Sequence, residues 1–214
     1  MKNNANCCAA NPVEFQEADD NGFRTLWVVF VVMTVSSGLF AIMSWNIPTN
    51  KRLYHVITTL ITITASLSYF AMASGHATGY SCRTVKDEHD HNIPATYHDE
   101  CREVYWARYV DWAITTPLLL LDLCLLAGVD GAHTFMAIVA DLIMILGGLF
   151  AAFGKEHTAQ KWGWYGIGCV AYIFVIWHVG VHGRNTVKAR GAKAGKLFGS
   201  LAAFTLVLWT IYPM

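Results

Sequence analysis

Six segments of about 20 mainly apolar residues constrain the fold of this chain more than any other feature. They cover approximately residues 25–45, 53–73, 103–126, 132–153 and 163–182, and a sixth begins near Leu197. The hydrocarbon core of a bilayer is about 30 Å thick, and about 20 helical residues cross it. Because lipid cannot hydrogen-bond a bare backbone, each segment is expected to be a helix. The sequence therefore predicts an all-α membrane helical bundle.

The composition favours the same conclusion. Of the 214 residues, 55% are hydrophobic and 14% are charged, whereas about 25% of the residues of a soluble domain are charged. The 15 basic residues balance the 15 acidic ones, so the net charge gives no indication of a nucleic-acid partner. The first twenty residues are polar and acidic, unlike a secretory signal peptide.

The basic residues predict how the bundle is oriented. Lys51 and Arg52 lie between the first two segments, and residues 184–196, between the last two, carry five more basic residues. If each segment crosses once, both loops lie on one side, which is expected to be cytoplasmic. The predicted domains are then a polar extracellular tail (1–24) and a transmembrane domain (25–214). In the tail, Cys7 and Cys8 are either idle or sites of palmitoylation.

The longest loop, between the second and third segments, allows two interpretations. Its His89, His91 and His98 lie among acidic residues, and imidazole with carboxylate is a usable ligand set for a metal. Their spacing matches no metal motif, which favours a solvated polar loop. A disulfide between Cys82 and Cys101 on the oxidising side is left open.

The third segment contains "WARYVDWAITTPLLLLDL", which places acids inside the predicted membrane. Eleven residues separate Asp111 from Asp122, and at 100° per residue this is three turns plus about 20°. The two acids therefore share one face, about 16 Å apart along the helix axis. Ionisable groups in a membrane are costly and normally mark an ion path or a ligand's counter-ion.

This arrangement is suited to moving a proton. Arg108 lies almost one turn outward from Asp111 and can influence its charge, and Thr115 is placed to hydrogen-bond Asp111. Leucines at residues 118–121 surround Asp122, and an acid in apolar surroundings is suited to donate a proton, whereas one beside a cation is suited to accept it. The alternative is a pair of structural polar contacts between helices.

Several other residues of the segments have open roles. Pro117 frees a backbone carbonyl and allows a kink. Asp141 is either a pocket group or a hydrogen-bond partner for the third segment. Spacing alone favours packing as the role of the nearby aromatic residues, which are Tyr69, Tyr109, Trp112, Trp209 and Tyr212.

The third segment, read as "YWARYVDWAITTPLLLLDL", closely resembles the microbial (type 1) rhodopsins, in particular the fungal branch similar to light-driven proton pumps. "TTL" with Tyr69, "ADLIMILGGL" and "LWTIYP" support this resemblance, which extends from the first segment to the last residue. It implies a seven-transmembrane fold, of which this chain contains five helices and most of the sixth.

The resemblance implies a role for each matching residue. Asp111 would be the Schiff-base counter-ion and proton acceptor, Asp122 the proton donor, and Arg108 the gate on the outer side. Trp112 and Trp209 would enclose the polyene of retinal. The remaining residues of the implied pocket are Tyr69, Tyr109, Thr115, Thr116, Leu119, Asp141, Met144, Gly148, Tyr212 and Pro213.

The chain departs from the family in one respect. Members carry the lysine of the retinal Schiff base on a seventh helix, and here all eight lysines lie in loops, tails or helix ends. Schiff-base chemistry needs a buried lysine. We therefore expect residues 1–214 to be part of a longer opsin, with covalent attachment of retinal not possible within them.

The resemblance implies a transporter and not an enzyme: a light-driven outward proton pump of the plasma membrane whose partners are lipid, retinal and protons. A slow photosensory opsin is the alternative, because some fungal relatives with both acids are photoreceptors. A third hypothesis is an opsin-related membrane protein without a chromophore. The sequence does not decide whether the protein is a homo-oligomer.

Overall fold

Six long apolar helices dominate the computed structural model, which describes residues 12–87, 95–155 and 158–211. This confirms the predicted membrane bundle. A π-helical segment, Ile176–Gly183, continues the fifth long helix without a break. The α-helices are α1 (Asp20–Trp45), α2 (Leu53–Ala73), α3 (Trp106–Ala127), α4 (Gly131–Phe153), α5 (Ala159–Val175), the single turn α6 (Arg184–Val187) and α7 (Ala192–Ile211).

Capping residues make some helices longer than hydropathy predicts. α1 begins at Asp20, five residues before the predicted start, because the Asp19 carboxylate accepts the backbone N–H of Gly22 at 2.8 Å. The Thr158 hydroxyl likewise accepts the N–H of Lys161, and α5 begins at Ala159. Side chains that satisfy the first N–H groups of a helix stabilise its start.

A three-stranded sheet covers one end of the bundle, where an all-α fold was predicted to have only loops. The strands are β1 (Val13–Gln16), β2 (Gly79–Asp87) and β3 (Thr96–Val104). β3 lies in the middle, parallel to β1 and antiparallel to β2. The described parts of the long loop therefore form a hairpin, whereas His89 and His91 lie outside the described residues.

The structure contains the disulfide that the sequence left open. Cys82 and Cys101 are directly opposite each other on β2 and β3, and a disulfide joins them. The predicted division at residue 24 does not coincide with an element boundary, because β1 and the first turn of α1 both precede it. Cys7 and Cys8 lie outside the described residues.

The two ends of the bundle differ in the elements and charges that they carry. The sheet end carries the three strands, and the basic end carries Lys51, Arg52 and the basic residues of 184–196. Arg190 donates to the carbonyl of Leu125 at 3.0 Å, which ties the segment before α7 to the last turns of α3. At the opposite end, Arg102 of β3 donates to the carbonyl of Ala152 on α4.

Buried apolar side chains form two clusters, one towards each end. The sheet-end cluster consists of Leu26, Met72, Ala73, Ala77 and Ala107. The outward faces of the helices are apolar and exposed, as a bilayer requires. The basic-end cluster joins α3, α4, the π segment and α7 through Leu120, Leu123, Cys124, Ala127, Ala137, Ala140, Val175, Val179, Val187, Phe198 and Ala202.

Two glycines allow helices to approach closely. A Cβ at Gly147 of α4 would lie 3.1 Å from the carbonyl oxygen of Trp164 on α5. A Cβ at Gly183 would lie 2.8 Å from the ring of Phe198, which is fully buried on α7. Small residues at such contacts are typical of helix packing in membranes.

The sheet generates a prediction about His98. Its imidazole lies 2.8 Å from Asp87 and 3.4 Å from Glu100, and the hydrogen bond to Asp87 is the main reason that its pKa is raised. The folded sheet therefore favours the charged imidazolium of His98, which stabilises the fold. This contribution to stability is fully present below the ordinary histidine pKa of about 6.5. It is lost as the pH rises through the folded pKa. We expect a histidine titration by NMR to give a midpoint above about 6.5.

Asp87→Asn should lower this midpoint because it removes the carboxylate whose hydrogen bond contributes most to the raised pKa of His98. Asp20→Asn, which removes an acid at the start of α1, should leave it unchanged. A midpoint for His98 at or below about 6.5 would contradict the geometry of the sheet.

Candidate functional site

The two acids of α3 lie where the helical spacing predicts. Asp111 is five residues after the helix begins at the sheet end, and Asp122 is five residues before it ends at the basic end. Asp111 is only 6% exposed, and Asp122 is half-buried. In each, the buried Oδ1 atom has no hydrogen-bond partner among the described residues. Leaving a buried polar atom unsatisfied costs about 1–3 kcal/mol, so such atoms are candidates for ligand or proton binding.

The contacts around Asp111 show which of its atoms Thr115 bonds. The Thr115 hydroxyl donates to the backbone carbonyl of Asp111 at 2.9 Å and not to its carboxylate. Threonine in a helix commonly bonds the carbonyl four residues earlier, so the carboxylate remains available. Arg108 is half-buried, with its guanidinium carbon 5.7 Å from the ring centroid of Tyr105. Its predicted influence on the charge of Asp111 stays a prediction.

A hydrogen bond between α3 and α4 shows one role of Asp141. Asp141 is completely buried, and its Oδ2 accepts the Thr116 hydroxyl at 2.7 Å. The same hydroxyl lies 2.8 Å from the carbonyl of Trp112. Asp141 is therefore a hydrogen-bond partner of the third segment, which was one of its two predicted roles. Its other oxygen, Oδ1, is also buried without a partner in the described part of the chain.

Aromatic rings lie beside these polar groups. The rings of Tyr109 and Trp112 meet edge to face with their centroids 5.4 Å apart. A Cβ at Gly148 would lie 3.5 Å from the Tyr109 ring, so α4 passes close to this ring without a larger side chain between them. These three residues, with Thr116 and Asp141, form one connected group at the interface between α3 and α4.

The remaining predicted pocket residues are more widely distributed. Tyr69 packs against the sheet-end cluster and Trp209 against the basic-end cluster. Leu119 and Met144 are half-buried on α3 and α4. Tyr212 and Pro213 lie outside the described residues, so their predicted positions in the pocket are not tested.

The sequence analysis missed two serines that position the helices. The buried hydroxyl of Ser68 on α2 donates to the carbonyl of Ala107 on α3 at 3.0 Å. Two residues earlier on α2, Ser66 shares a 2.7 Å hydrogen bond with Thr34 of α1. The only signal in the sequence was a polar residue in an apolar segment, which gives no partner. These contacts fix α2, and with it Tyr69, against the start of α3.

Comparison with known proteins identifies the family. A family model described as "Bacteriorhodopsin-like protein" matches residues 24–214. Opsin-1 of Neurospora crassa is 65% identical over 204 residues, which are 95% of this chain and 67% of that protein. The opsin-like protein carO of Fusarium fujikuroi is 35% identical, over 100% of this chain and 68% of that protein.

Solved structures agree with this match. The light-driven proton pump from Leptosphaeria maculans aligns with a TM-score of 0.87 and 59% identity, over 93% of this chain and 80% of that one. The proton pump from Coccomyxa subellipsoidea aligns with a TM-score of 0.82 and 34% identity, over 94% of this chain and 82% of that one. The chain therefore belongs to the bacteriorhodopsin-like family and has its rhodopsin-type membrane fold.

Proposed function

We propose that the complete protein is a retinal-binding, light-driven outward proton pump. The observation that carries this proposal is the pair of acids on one face of α3, each with a buried oxygen that has no hydrogen-bond partner among the described residues. One acid lies near each end of the membrane span, as a relay across the bilayer requires. The 59% identity to a structure named as a light-driven proton pump supports the same function.

The charge distribution supports outward transport. The basic end carries Lys51, Arg52 and the five basic residues of 184–196, which favours a cytoplasmic position for it. The sheet end, which carries the disulfide, is then extracellular, where disulfides persist. Asp111 is thus placed to pass protons outward, and Asp122 to take them up from the cytoplasm. We propose the plasma membrane as the location.

The described residues fit retinal in two respects. The buried Oδ1 of Asp111 has no hydrogen-bond partner in the described part of the chain, so its carboxylate can balance the positive charge of a ligand. The flat rings of Tyr109 and Trp112, beside the small Gly148, form an aromatic wall for a polyene. When bound, retinal absorbs light and isomerises, which changes the proton affinity of the nitrogen that holds it.

We assign the roles of the site as follows. Asp111 balances the ligand's charge and accepts the proton, and Arg108 lies between it and the extracellular side. Asp122, which lies among leucines, holds the proton that it later donates to return the site to its dark state. Thr116 and Asp141 keep α4 in position through their hydrogen bond. The remaining pocket residues proposed from the family are Tyr69, Thr115, Leu119, Met144, Trp209, Tyr212 and Pro213.

The role of Asp111 gives a direct prediction. Illuminated cells that express the full-length protein should acidify an unbuffered medium. Asp111→Asn should abolish this signal, because an amide cannot take up the proton at this position. Asp20→Asn, at the exposed start of α1, is the matched control and should pump normally. Acidification by the Asp111 variant would show that its assigned role is wrong.

The role of Asp122 is tested by kinetics. Asp122→Asn should slow recovery of the dark-state absorption after a flash by about 100-fold, which is the scale of a lost general acid. Time-resolved absorption measures this directly. Recovery that takes seconds in the unmodified protein and is insensitive to this substitution would instead favour a photosensor.

The distribution of lysines predicts how the 214-residue chain behaves alone. Among the described residues, Lys86 lies on β2, the other lysines lie near helix ends or between helices, and none of these lysines is buried. Residues 1–214 expressed alone with all-trans retinal should therefore form no retinal adduct after borohydride reduction, as measured by mass spectrometry. The full-length protein is the positive control. A retinal mass on any lysine of residues 1–214 would overturn this expectation.

A further inference from the structure

Three ligating side chains meet at the basic end of the bundle, away from the proposed chromophore site. Asp130 caps the start of α4, His133 lies in the first turn of that helix, and His182 lies in the π segment. One ligand atom from each residue lies within 4.8 Å of the other two. Residues 130 and 182 are far apart in sequence, so the fold itself brings these groups together.

The Asp130 carboxylate is held in a fixed orientation. Its Oδ1 accepts the backbone N–H groups of Ala132 and His133 at 3.0 and 3.1 Å. The N–H of His133 is the main reason that the pKa of Asp130 is lowered, which keeps the carboxylate ionised. The other oxygen, Oδ2, lies 3.6 Å from Nε2 of His182 and 3.9 Å from Nε2 of His133.

The two imidazoles are also held in place. The rings of His133 and His182 are stacked with centroids 3.8 Å apart. On its far side, Nδ1 of His133 lies 3.0 Å from Nδ1 of His178, which is buried. A hydrogen bond at the second ring nitrogen is the usual way in which a metal-binding histidine is oriented. Here it leaves Nε2 of His133 directed towards Asp130.

The donor set selects a class of metal. Two imidazoles and one carboxylate are a Zn²⁺ ligand set, with bonds of about 2.0–2.2 Å and a fourth position for water. Tetrahedral bonds of this length place ligand atoms about 3.3 Å apart. The distances from Asp130 Oδ2 to the two Nε2 atoms, 3.6 and 3.9 Å, therefore need to shorten only slightly. Mg²⁺ and Ca²⁺ prefer sites made of oxygen atoms. The positive end of the α4 dipole opposes a cation, and the carboxylate offsets it.

We propose that Asp130, His133 and His182 bind one divalent transition-metal ion, with Zn²⁺ the best match, and that the ion ties α4 to the π segment. This site is separate from the chromophore pocket, and it does not depend on whether the protein pumps protons. π-helical turns occur frequently at functional sites, and here the turn presents His178 and His182 on the side that faces α4.

The experiment uses the full-length protein with retinal, purified without a polyhistidine tag and stripped with EDTA. Isothermal titration with ZnCl₂ should show a site that is lost in His182→Ala and weakened at least tenfold in Asp130→Asn. Asparagine also caps helices well, so this variant removes the charge and keeps the start of α4. His178→Phe removes only the orienting contact and should weaken binding by about tenfold.

His98→Ala is the matched control, because Glu14, His98 and Glu100 form a second cluster at the sheet end. This variant should keep the proposed site. The visible absorption spectrum confirms that each variant is folded. Unchanged Zn²⁺ affinity in folded His182→Ala and Asp130→Asn would overturn the proposal, as would Zn²⁺ binding that only His98→Ala removes.

Discussion

The burial of carboxylates in α3 is the constraint on which the rest of the bundle depends. An aspartate at the centre of a membrane helix costs about 2.5–3.5 kcal/mol when lipid surrounds it. α3 therefore has to lie inside the bundle, and other helices have to cover the face that carries Asp111 and Asp122. Asp111 is almost fully covered, whereas α1, which has no acid after its first turn, leaves most of its valines exposed.

Polar contacts then fix how the covering helices are rotated. Ser68 bonds α2 to α3 and Thr116 bonds α3 to Asp141 of α4, and both contacts restrict the rotation of these helices. Hydrogen bonds between membrane helices contribute about 0.6–2 kcal/mol each. Apolar surfaces alone do not discriminate well between rotations, because lipid competes for them. A few polar side chains thus determine the geometry of the site.

The sequence was sufficient for the features that depend on local pattern. Hydropathy located the six helices, and helical spacing placed Asp111 and Asp122 on one face. Long-range pairing was not predictable in this way. β1 is parallel to β3, more than 80 residues away, and its alternation, VEFQ, is only four residues long and does not indicate a partner strand. Spacing also could not show that Thr115 would bond a backbone carbonyl, because both acceptors of Asp111 are within its reach.

The histidine cluster was missed for the same reason. Asp130 and His133 are neighbours in sequence, but His178 and His182 join them only because the π segment packs against α4. Single histidines in an apolar segment carry no pattern that indicates a partner. The sequence motifs of the family also lie elsewhere, on α2, α3, α4 and α7, and give no information about this cluster.

The space between the two acids is consistent with the proposed role of a chromophore. They are separated by about 16 Å along α3, and the side chains that follow Thr115 and Thr116 on this helix are a proline and four leucines. The hydroxyl hydrogen of Thr115 is already bonded to a carbonyl, and that of Thr116 to Asp141. α3 therefore offers no continuous chain of free proton donors from Asp122 to Asp111. In the proposed function, a group that carries a proton and changes its affinity acts in this interval, and the rings of Tyr109 and Trp112 lie at the end of it nearer Asp111.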